Sequence, residues 1–231
     1  MLNKMNTNKN YLIKIICIII LITNLISNEN KSIAVTTKAK GDVTLRAWDS
    51  NEFKDLLPAK VLDDGDHIET GVDGFGALVY LDDKSTIKIK ENTSFDIIGN
   101  RKKTGISKRI KMNSGTVKAI IEEGRYSGFI IETPTSVATV KGTKFWLTSS
   151  LDGDKVFGLE GIVELRNLIS DEIVLVNANQ TGASLITGET SIATTILAEL
   201  PEEDEQQEIN EFEIDFEDSN GNKKTIKIRY R

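Results

Sequence analysis

The sequence predicts an all-β fold, either a β-solenoid-like arrangement or a sandwich of many short strands. The first observation is that apolar residues between positions 41 and 187 recur at every second position in short runs, as at Ile87 and Ile89. This alternation is typical of a strand with one buried and one solvated face. The second is that Gly, Asp and Asn clusters separate the runs at short intervals, as tight turns require. The best helix candidate is the short, Thr-rich segment 191–200.

The N-terminal segment 1–34 is predicted to be a signal peptide or an uncleaved anchor. Lysines precede an apolar run over residues 15–26. This run has about the length of a signal-peptide core and is shorter than the ~20 residues that a membrane span needs. Small residues at Ser32 and Ala34 predict cleavage before Val35. We therefore expect the rest of the chain to be periplasmic or secreted.

Two further segments follow the β domain predicted at 41–187. Residues 198–211 are rich in Glu and predict an acidic linker. Residues 212–231 hold two alternating runs around a turn, the first with acidic and the second with basic polar positions. This pattern predicts a C-terminal β-hairpin with favourable charge pairs between its strands.

Composition argues against several function classes. The chain has 231 residues and a net charge of -6, which disfavours nucleic-acid binding because phosphate backbones require a basic surface. Cys17 is the only cysteine and lies in the apolar run, and His67 is the only histidine. We therefore expect His67 to be structural, and we expect no catalytic site, no cofactor and no metal.

Acidic and glycine-rich segments also lack the spacing of known sites. The acids at 63–69 do not alternate as in a calcium-binding loop, and the glycines at 71–76 lack the spacing of a dinucleotide-binding motif. We interpret them as turns.

Two groups are weak candidates for contact with a partner. Basic residues cluster at Arg101, Lys102 and Lys103, with more at 108–111. They could bind an anionic envelope polymer or lipid headgroup, or they could form a solvated hairpin tip. Trp146 lies in a predicted strand on the face opposite its two apolar neighbours, where it could anchor a ligand if exposed.

Several segments together resemble the FecR-type domain family. Residues 133–145 read Thr-Pro-Thr-Ser-Val-Ala-Thr-Val-Lys-Gly-Thr-Lys-Phe and are similar to the family's central motif, with Lys where the family usually has Arg. The Gly-Asp-His-Ile-Glu-Thr-Gly run at 65–71 and the strand at 160–165 resemble its earlier and closing segments. The resemblance implies structural roles in turns and strand cores for these residues: Gly65, Asp66, Thr70, Gly71, Thr133, Pro134, Val140, Lys141, Gly142, Thr143, Phe145, Glu160 and Gly161.

The resemblance implies an all-β domain without a shared active site. In the regulator that gives the family its name, a cytoplasmic segment binds a sigma factor and the periplasmic part senses an outer-membrane transporter. Only a short segment precedes the apolar run here, so we do not expect sigma-factor binding. We expect a non-catalytic extracytoplasmic interaction or sensor module with an envelope protein as its partner, and membrane contact only through an uncleaved anchor. The alternative is a cell-envelope module that binds polysaccharide or another surface polymer.

Overall fold

The computed structural model describes residues 32–102, 105–123, 128–203, 211–217 and 223–229. The chain divides into two compact units, with the boundary between Leu200 and Pro201. The described part of the first unit is built almost entirely from short strands, which confirms the predicted all-β fold.

The described residues of the first unit form seventeen strands. In chain order they are β1 Ser32–Lys40, β2 Val43–Arg46, β3 Phe53–Asp55, β4 Val61–Asp63, β5 His67–Thr70, β6 Phe75–Tyr80, β7 Thr86–Ile89, β8 Ser94–Lys102, β9 Gly105–Ile120, β10 Phe129–Glu132, β11 Ser136–Val140, β12 Lys144–Ser150, β13 Gly153–Glu160, β14 Ile162–Asn167, β15 Ile173–Asn177, β16 Gln180–Leu185 and β17 Thr190–Thr194.

The strands form two sheets that share β9. Sheet A has the order β4-β1-β6-β7-β9-β12-β13-β16-β17, and sheet B has the order β3-β2-β5-β8-β9-β10-β11-β14-β15. The pairs are antiparallel except β9–β10. From β10 onward the chain adds one hairpin to sheet B and the next to sheet A. The architecture therefore combines a sandwich with solenoid-like growth.

The long strand β9 passes from sheet B to sheet A at Gly115. Its φ of +107° is a conformation that L side chains rarely adopt. A Cβ atom there would lie 2.4 Å from the Cα of Thr93. The absence of a side chain therefore allows β9 to turn between the sheets while it stays close to the start of β8.

The core lies between the two sheets and follows the predicted alternation. Ile87, Val117 and Leu147 occupy successive strands of sheet A and are fully buried. A Cβ on Gly182 of sheet A would lie 2.3 Å from the Val176 side chain of sheet B, which shows how closely the sheets approach. Each buried aliphatic side chain contributes about 1.5–3 kcal/mol by leaving water.

Two limits and one candidate element differ from what the sequence indicates. The sheets extend beyond 41 and 187, because β1 precedes the first limit and β17 follows the second. The best helix candidate, 191–200, is not an α-helix. Its first half belongs to β17, which pairs with β16, and Leu197–Glu199 forms a 3₁₀ turn. Thr and Ile are β-branched and favour a strand when a neighbouring strand can pair with them.

The cleavage site predicted before Val35 lies inside β1. Ile33 and Ala34 are fully buried, and Ala34 pairs with Tyr80 of β6. Cleavage there would remove two core residues, so a signal segment compatible with this fold ends before Ser32. Residues 1–31 lie outside the described residues. No helix in the described part of the chain is long and apolar enough to cross a membrane.

The second unit contains the C-terminal hairpin that the sequence predicts. Its strands are β18 Glu211–Glu217 and β19 Lys223–Arg229, and they are antiparallel. The register places Glu213 opposite Lys227. Acidic positions of one strand therefore lie opposite basic positions of the other, as the charge pattern indicates. Most of the linker predicted at 198–211 lies outside the described residues.

Candidate functional site

The central motif forms the corner where the chain passes from β11 in sheet B to β12 in sheet A. Gly142 has a φ of +60°, which glycine adopts without steric cost. Thr143 is buried, and its hydroxyl lies 3.2 Å from the carbonyl oxygens of both Lys141 and Ile162. The backbones of Thr143 and Ile121 exchange two hydrogen bonds of 3.1 and 2.9 Å. The corner is thus tied to two neighbouring segments, at Ile121 and at Ile162.

The return crossing, from β13 to β14, packs against this corner. Gly161 has a φ of +77°, and a Cβ there would lie 2.8 Å from the carbonyl oxygen of Gly142 and 2.9 Å from the Thr143 hydroxyl. Glu160 forms an exposed 2.6 Å ion pair with Lys144, and its hydrogen bond raises the pKa of the Lys144 amino group. Exposed pairs of this kind contribute little to stability. The two glycines, rather than the ion pair, allow the crossings to stack.

Asp66 of the earlier motif fixes the turn before β5. Its carboxylate accepts hydrogen bonds from the N–H groups of Trp48 (3.1 Å) and Asp63 (2.9 Å). Burial raises the pKa of Asp66, and these two hydrogen bonds oppose the rise. The preceding Gly65 has a φ of +87°. Asp66 therefore holds together three chain segments rather than facing a ligand.

β5 ends at Thr70, and after Gly71 the chain crosses from sheet B to β6 in sheet A. The Thr70 hydroxyl donates to the carbonyl oxygen of Lys90 (2.6 Å) and accepts from the N–H of Thr93 (2.9 Å). The N–H of Gly71 donates to the carbonyl oxygen of Asp42 (2.8 Å). A buried Thr and a Gly again hold a crossing, as they do at the central motif.

The start of the central motif carries a buried polar cluster. The Thr133 hydroxyl accepts the N–H groups of Thr135 (3.1 Å) and Ser136 (2.8 Å) and donates to Oδ2 of Asp154 (2.5 Å). The Ser136 hydroxyl also donates to this Asp154 oxygen. Pro134 has no N–H and so leaves no donor to satisfy in this turn. Because Asp154 belongs to β13, the cluster fixes sheet B to sheet A.

The remaining apolar motif residues lie in the core. Val140 and Phe145 are both buried, Phe145 completely, whereas Lys141 is exposed at the turn. The contacts of the motif residues support the structural role that the resemblance implies. We propose this role, and substitutions of these residues can test it.

His67 lies in a charged cluster that the sequence does not reveal. Its Nδ1 is 2.7 Å from Oδ1 of Asp96, and its Nε2 is 3.0 Å from Oε1 of Glu69 and 3.3 Å from the Ser94 hydroxyl. The Phe53 ring packs edge-on against the imidazole at 5.8 Å. Alternation places Ser94 and Asp96 on one face of β8, but only the β5–β8 register brings them to His67.

The cluster has some of the geometry of a Ser–His–Asp triad. One histidine is sufficient for such a triad, so the histidine count alone does not argue against it. Glu69 lies closer to Nε2 than Ser94 does, at 3.0 Å against 3.3 Å. The imidazole is thus held by a carboxylate on each side, an arrangement that fits a structural role.

Lys108 forms a second charged cluster beneath the loop between β6 and β7. The side chain is buried, and its amino group makes ion pairs with Asp82 (2.9 Å) and Asp83 and lies 5.4 Å from the centre of the Tyr80 ring. Burial raises the pKa of Asp83, but hydrogen bonds from Lys108 and Ser85 outweigh it and lower the pKa overall. Burial also raises the pKa of Tyr80.

The described basic residues do not form the single patch that the sequence allows. Lys108 is buried in its ion pairs, and Arg109 bonds to Glu132 at 2.7 Å. Lys108 and Arg109 differ in burial because successive strand residues point to opposite faces. The backbones of Arg101 and Lys102 belong to β8, and Lys103 lies outside the described residues. A role of these last three residues in binding stays a prediction.

Trp146 is buried although it points away from the core between the sheets. Only 3% of its surface is exposed, and Lys118 of the neighbouring strand lies 5.5 Å from its ring centre. Burial lowers the pKa of Lys118, and the positive charges of Lys88 and Lys144 lower it further. In this conformation Trp146 does not offer the exposed ring that ligand contact would require.

The acidic turn at 63–69 does not assemble a metal site. Asp64 accepts the N–H of Gly99 at 2.9 Å, and Asp63 accepts the Ser32 hydroxyl at 2.8 Å. Across the described residues, no group of three or more His, Cys, Asp or Glu side chains could hold a metal ion. The acids instead bind backbone and hydroxyl groups.

Comparison with known proteins identifies the domain that these corners build. Residues 66–164 match the model of the family described as FecR protein. These residues form a FecR-type domain. The FecR family is regulatory rather than catalytic. The matched range contains both crossings of the central motif, and it ends within β14.

Solved structures also resemble part of this chain. Two crystal structures of a candidate anti-sigma factor from Parabacteroides distasonis, at 1.65 and 2.50 Å resolution, give TM-scores of 0.48 and 0.47 with 14% and 15% identity. Each match covers 55% of this chain and 59% of the other, so the chain spans less than two thirds of that relative. No curated protein matches the chain.

Proposed function

We propose that this protein is a non-catalytic, extracytoplasmic interaction or sensor module of a FecR-type regulatory system. The FecR-type domain at residues 66–164 carries the proposal, because that family is regulatory. The basic and apolar N-terminal sequence supports export to the periplasm or beyond.

The internal contacts of the domain support a role in binding rather than catalysis. Thr133, Thr143 and Asp66 each bond to neighbouring segments of the same fold. His67 is held between two carboxylates, which fits structure better than proton transfer. The partner of this module would be an envelope protein, and neither nucleic acid nor a sigma factor would be its ligand. Any membrane contact would come from an N-terminal anchor.

In-cell crosslinking of the tagged full chain, followed by mass spectrometry of the adducts, tests this proposal. We expect a discrete envelope protein to be captured. A chain without residues 1–31 should remain in the cytoplasm and lose that adduct, which serves as the control. Adducts with glycan alone would instead support a module that binds a surface polymer. Reproducible turnover of a substrate that is lost with Ser94→Ala or His67→Gln would overturn the non-catalytic proposal.

A further inference from the structure

Exposed apolar side chains are concentrated beyond the FecR match. Residues 165–200 hold nine of the seventeen large apolar side chains that are exposed in the described part of the chain. Two of them, Ile173 and Leu175, lie on β15, and each is 51% exposed. Scattered exposed aliphatics need no explanation, but a concentration of them marks an interaction surface.

β15 is also an edge strand with a free backbone side. It pairs with β14, and no other described strand pairs with it. The N–H of Asn167 donates to the Glu172 carbonyl oxygen at 2.9 Å, which makes these two residues a hydrogen-bonded pair. Bonded and non-bonded pairs alternate in antiparallel ladders. Val174 therefore bonds to β14, whereas Ile173 and Leu175 direct their N–H and C=O groups away from it.

The free side of β15 has a defined end. The N–H of Asn177, the next outward-directed group, donates to Oε1 of Gln180 at 3.0 Å. The Leu175 carbonyl oxygen accepts a 3.5 Å hydrogen bond from Nδ2 of Asn177. The open stretch of backbone is therefore short and consists of the N–H and C=O groups of Ile173 and the N–H of Leu175. An extended segment placed there would gain backbone hydrogen bonds and would cover both exposed side chains, as in recognition by strand addition.

The surrounding charge selects the chemistry of the partner. Residues 160–200 contain six Asp or Glu and a single basic residue, Arg166, which is bonded to Asp171 at 3.1 Å. Glu160 and Glu199 pair with lysines outside this range, Lys144 and Lys155. Glu164 and Glu172 are exposed beside β15. A second copy of this acidic surface would be repelled, whereas a basic segment would be attracted.

We propose that β15 docks an extended segment of an envelope protein in which aliphatic residues alternate with Lys or Arg. This inference rests on the proposed function and specifies the partner of that module. The aliphatic residues cover Ile173 and Leu175, and the basic residues lie on the opposite face, which carries Glu172.

The other free edge at this end of the sandwich serves as an internal control. β17 pairs with β16 and has no other described partner strand. Its length equals that of β15, but apart from Ile192 its residues are Thr, Ser and Ala. A strand added to β17 would therefore bury less apolar surface, so we assign docking to β15.

The test uses a short peptide in which valine alternates with lysine, and amide hydrogen exchange as the readout. We expect exchange at the amides of Ile173 and Leu175 to slow when the peptide binds, with little change at Val174, whose amide already bonds to β14. A matched peptide with glutamate in place of lysine should bind at least about tenfold more weakly, because opposite charge at the interface favours association.

Proline substitutions separate the two edges. Leu175→Pro removes an N–H that points away from β14, so it keeps the β14–β15 ladder and is tolerated at an edge. We expect it to weaken binding of the lysine peptide about tenfold or more through the lost backbone bond and apolar contact. Ile192→Pro on β17 should leave affinity within about twofold. Leu175→Lys, which keeps the N–H but adds a positive charge, should also weaken binding.

Three results would overturn the inference. They are no protection at Ile173 and Leu175, equal binding of the two peptides, and protection of these amides in the free protein through self-association. If in-cell crosslinking still captures the same partner with Leu175→Pro, docking at β15 is wrong while the interaction-module proposal stands. If crosslinking captures no partner even from the unaltered chain, the proposed function itself fails.

Discussion

The corner at 133–145 and the edge strand β15 use their polar groups in opposite ways. At the corner, Thr133 and Thr143 bond to other segments of the same fold. At β15, the outward backbone groups of Ile173 and Leu175 have no partner strand among the described residues. The FecR match at 66–164 includes the corner but not the edge. The difference suggests that the family motif specifies the scaffold, while recognition depends on sequence outside it.

The largest expected effect concerns the start of the scaffold. A chain that begins at Ser32 should keep the stability of the whole described β domain, whereas one that begins at Val35 loses Ile33 and Ala34 from the core. We expect the shorter chain to lose about 3 kcal/mol or more, because deletion of a large buried aliphatic costs that much. Denaturant unfolding of the two chains measures the difference. Equal midpoints and slopes would show that β1 begins at Val35.

The buried cluster at the start of the motif should give the next largest effect. Thr133→Val removes the hydroxyl that bonds to Asp154 and to the N–H groups of Thr135 and Ser136. We expect a loss of about 3 kcal/mol, since buried polar groups without partners cost about 1–3 kcal/mol each. Thr139→Val is the control, because Thr139 lies on the solvent-directed face of β11 and is only half-buried. Similar losses in both variants would contradict a special role for Thr133.

The corner glycine should have a smaller effect that depends on the backbone. Gly142→Val places a β-branched residue at a φ of +60°, which costs about 2 kcal/mol. Gly142→Asn should lose less, because Asn tolerates left-handed dihedrals better than other L-residues. Thermal unfolding of both variants provides the measurement. A Cβ at position 142 would also lie 2.4 Å from Cγ of Glu123. If Val and Asn destabilise equally, this contact, rather than the dihedral, limits the position.

The sequence predicts the scaffold better than it predicts the surface. Alternation and turn residues specify an all-β fold because they depend on neighbours along the chain. The cluster around His67 depends on register, which brings Ser94 and Asp96 of β8 to it, whereas Glu69 is on the same strand as His67. Trp146 shows the same limit, since alternation gives its face of the strand but not its burial. The free edge of β15 follows only from knowing which strands pair.

The smallest effect on stability is expected at the edge, where binding should change most. Leu175→Lys places a charge on a side chain that is half exposed, and surface substitutions usually change the free energy of unfolding by less than about 0.5 kcal/mol. The same variant should bind the lysine peptide more weakly. Leu165→Lys is the matched contrast, because Leu165 of β14 is fully buried and an unpaired charge there is costly. If Leu175→Lys destabilises the fold as much as Thr133→Val, β15 belongs to the scaffold. Stability retained together with lost binding would instead separate the recognition edge from the FecR-type core.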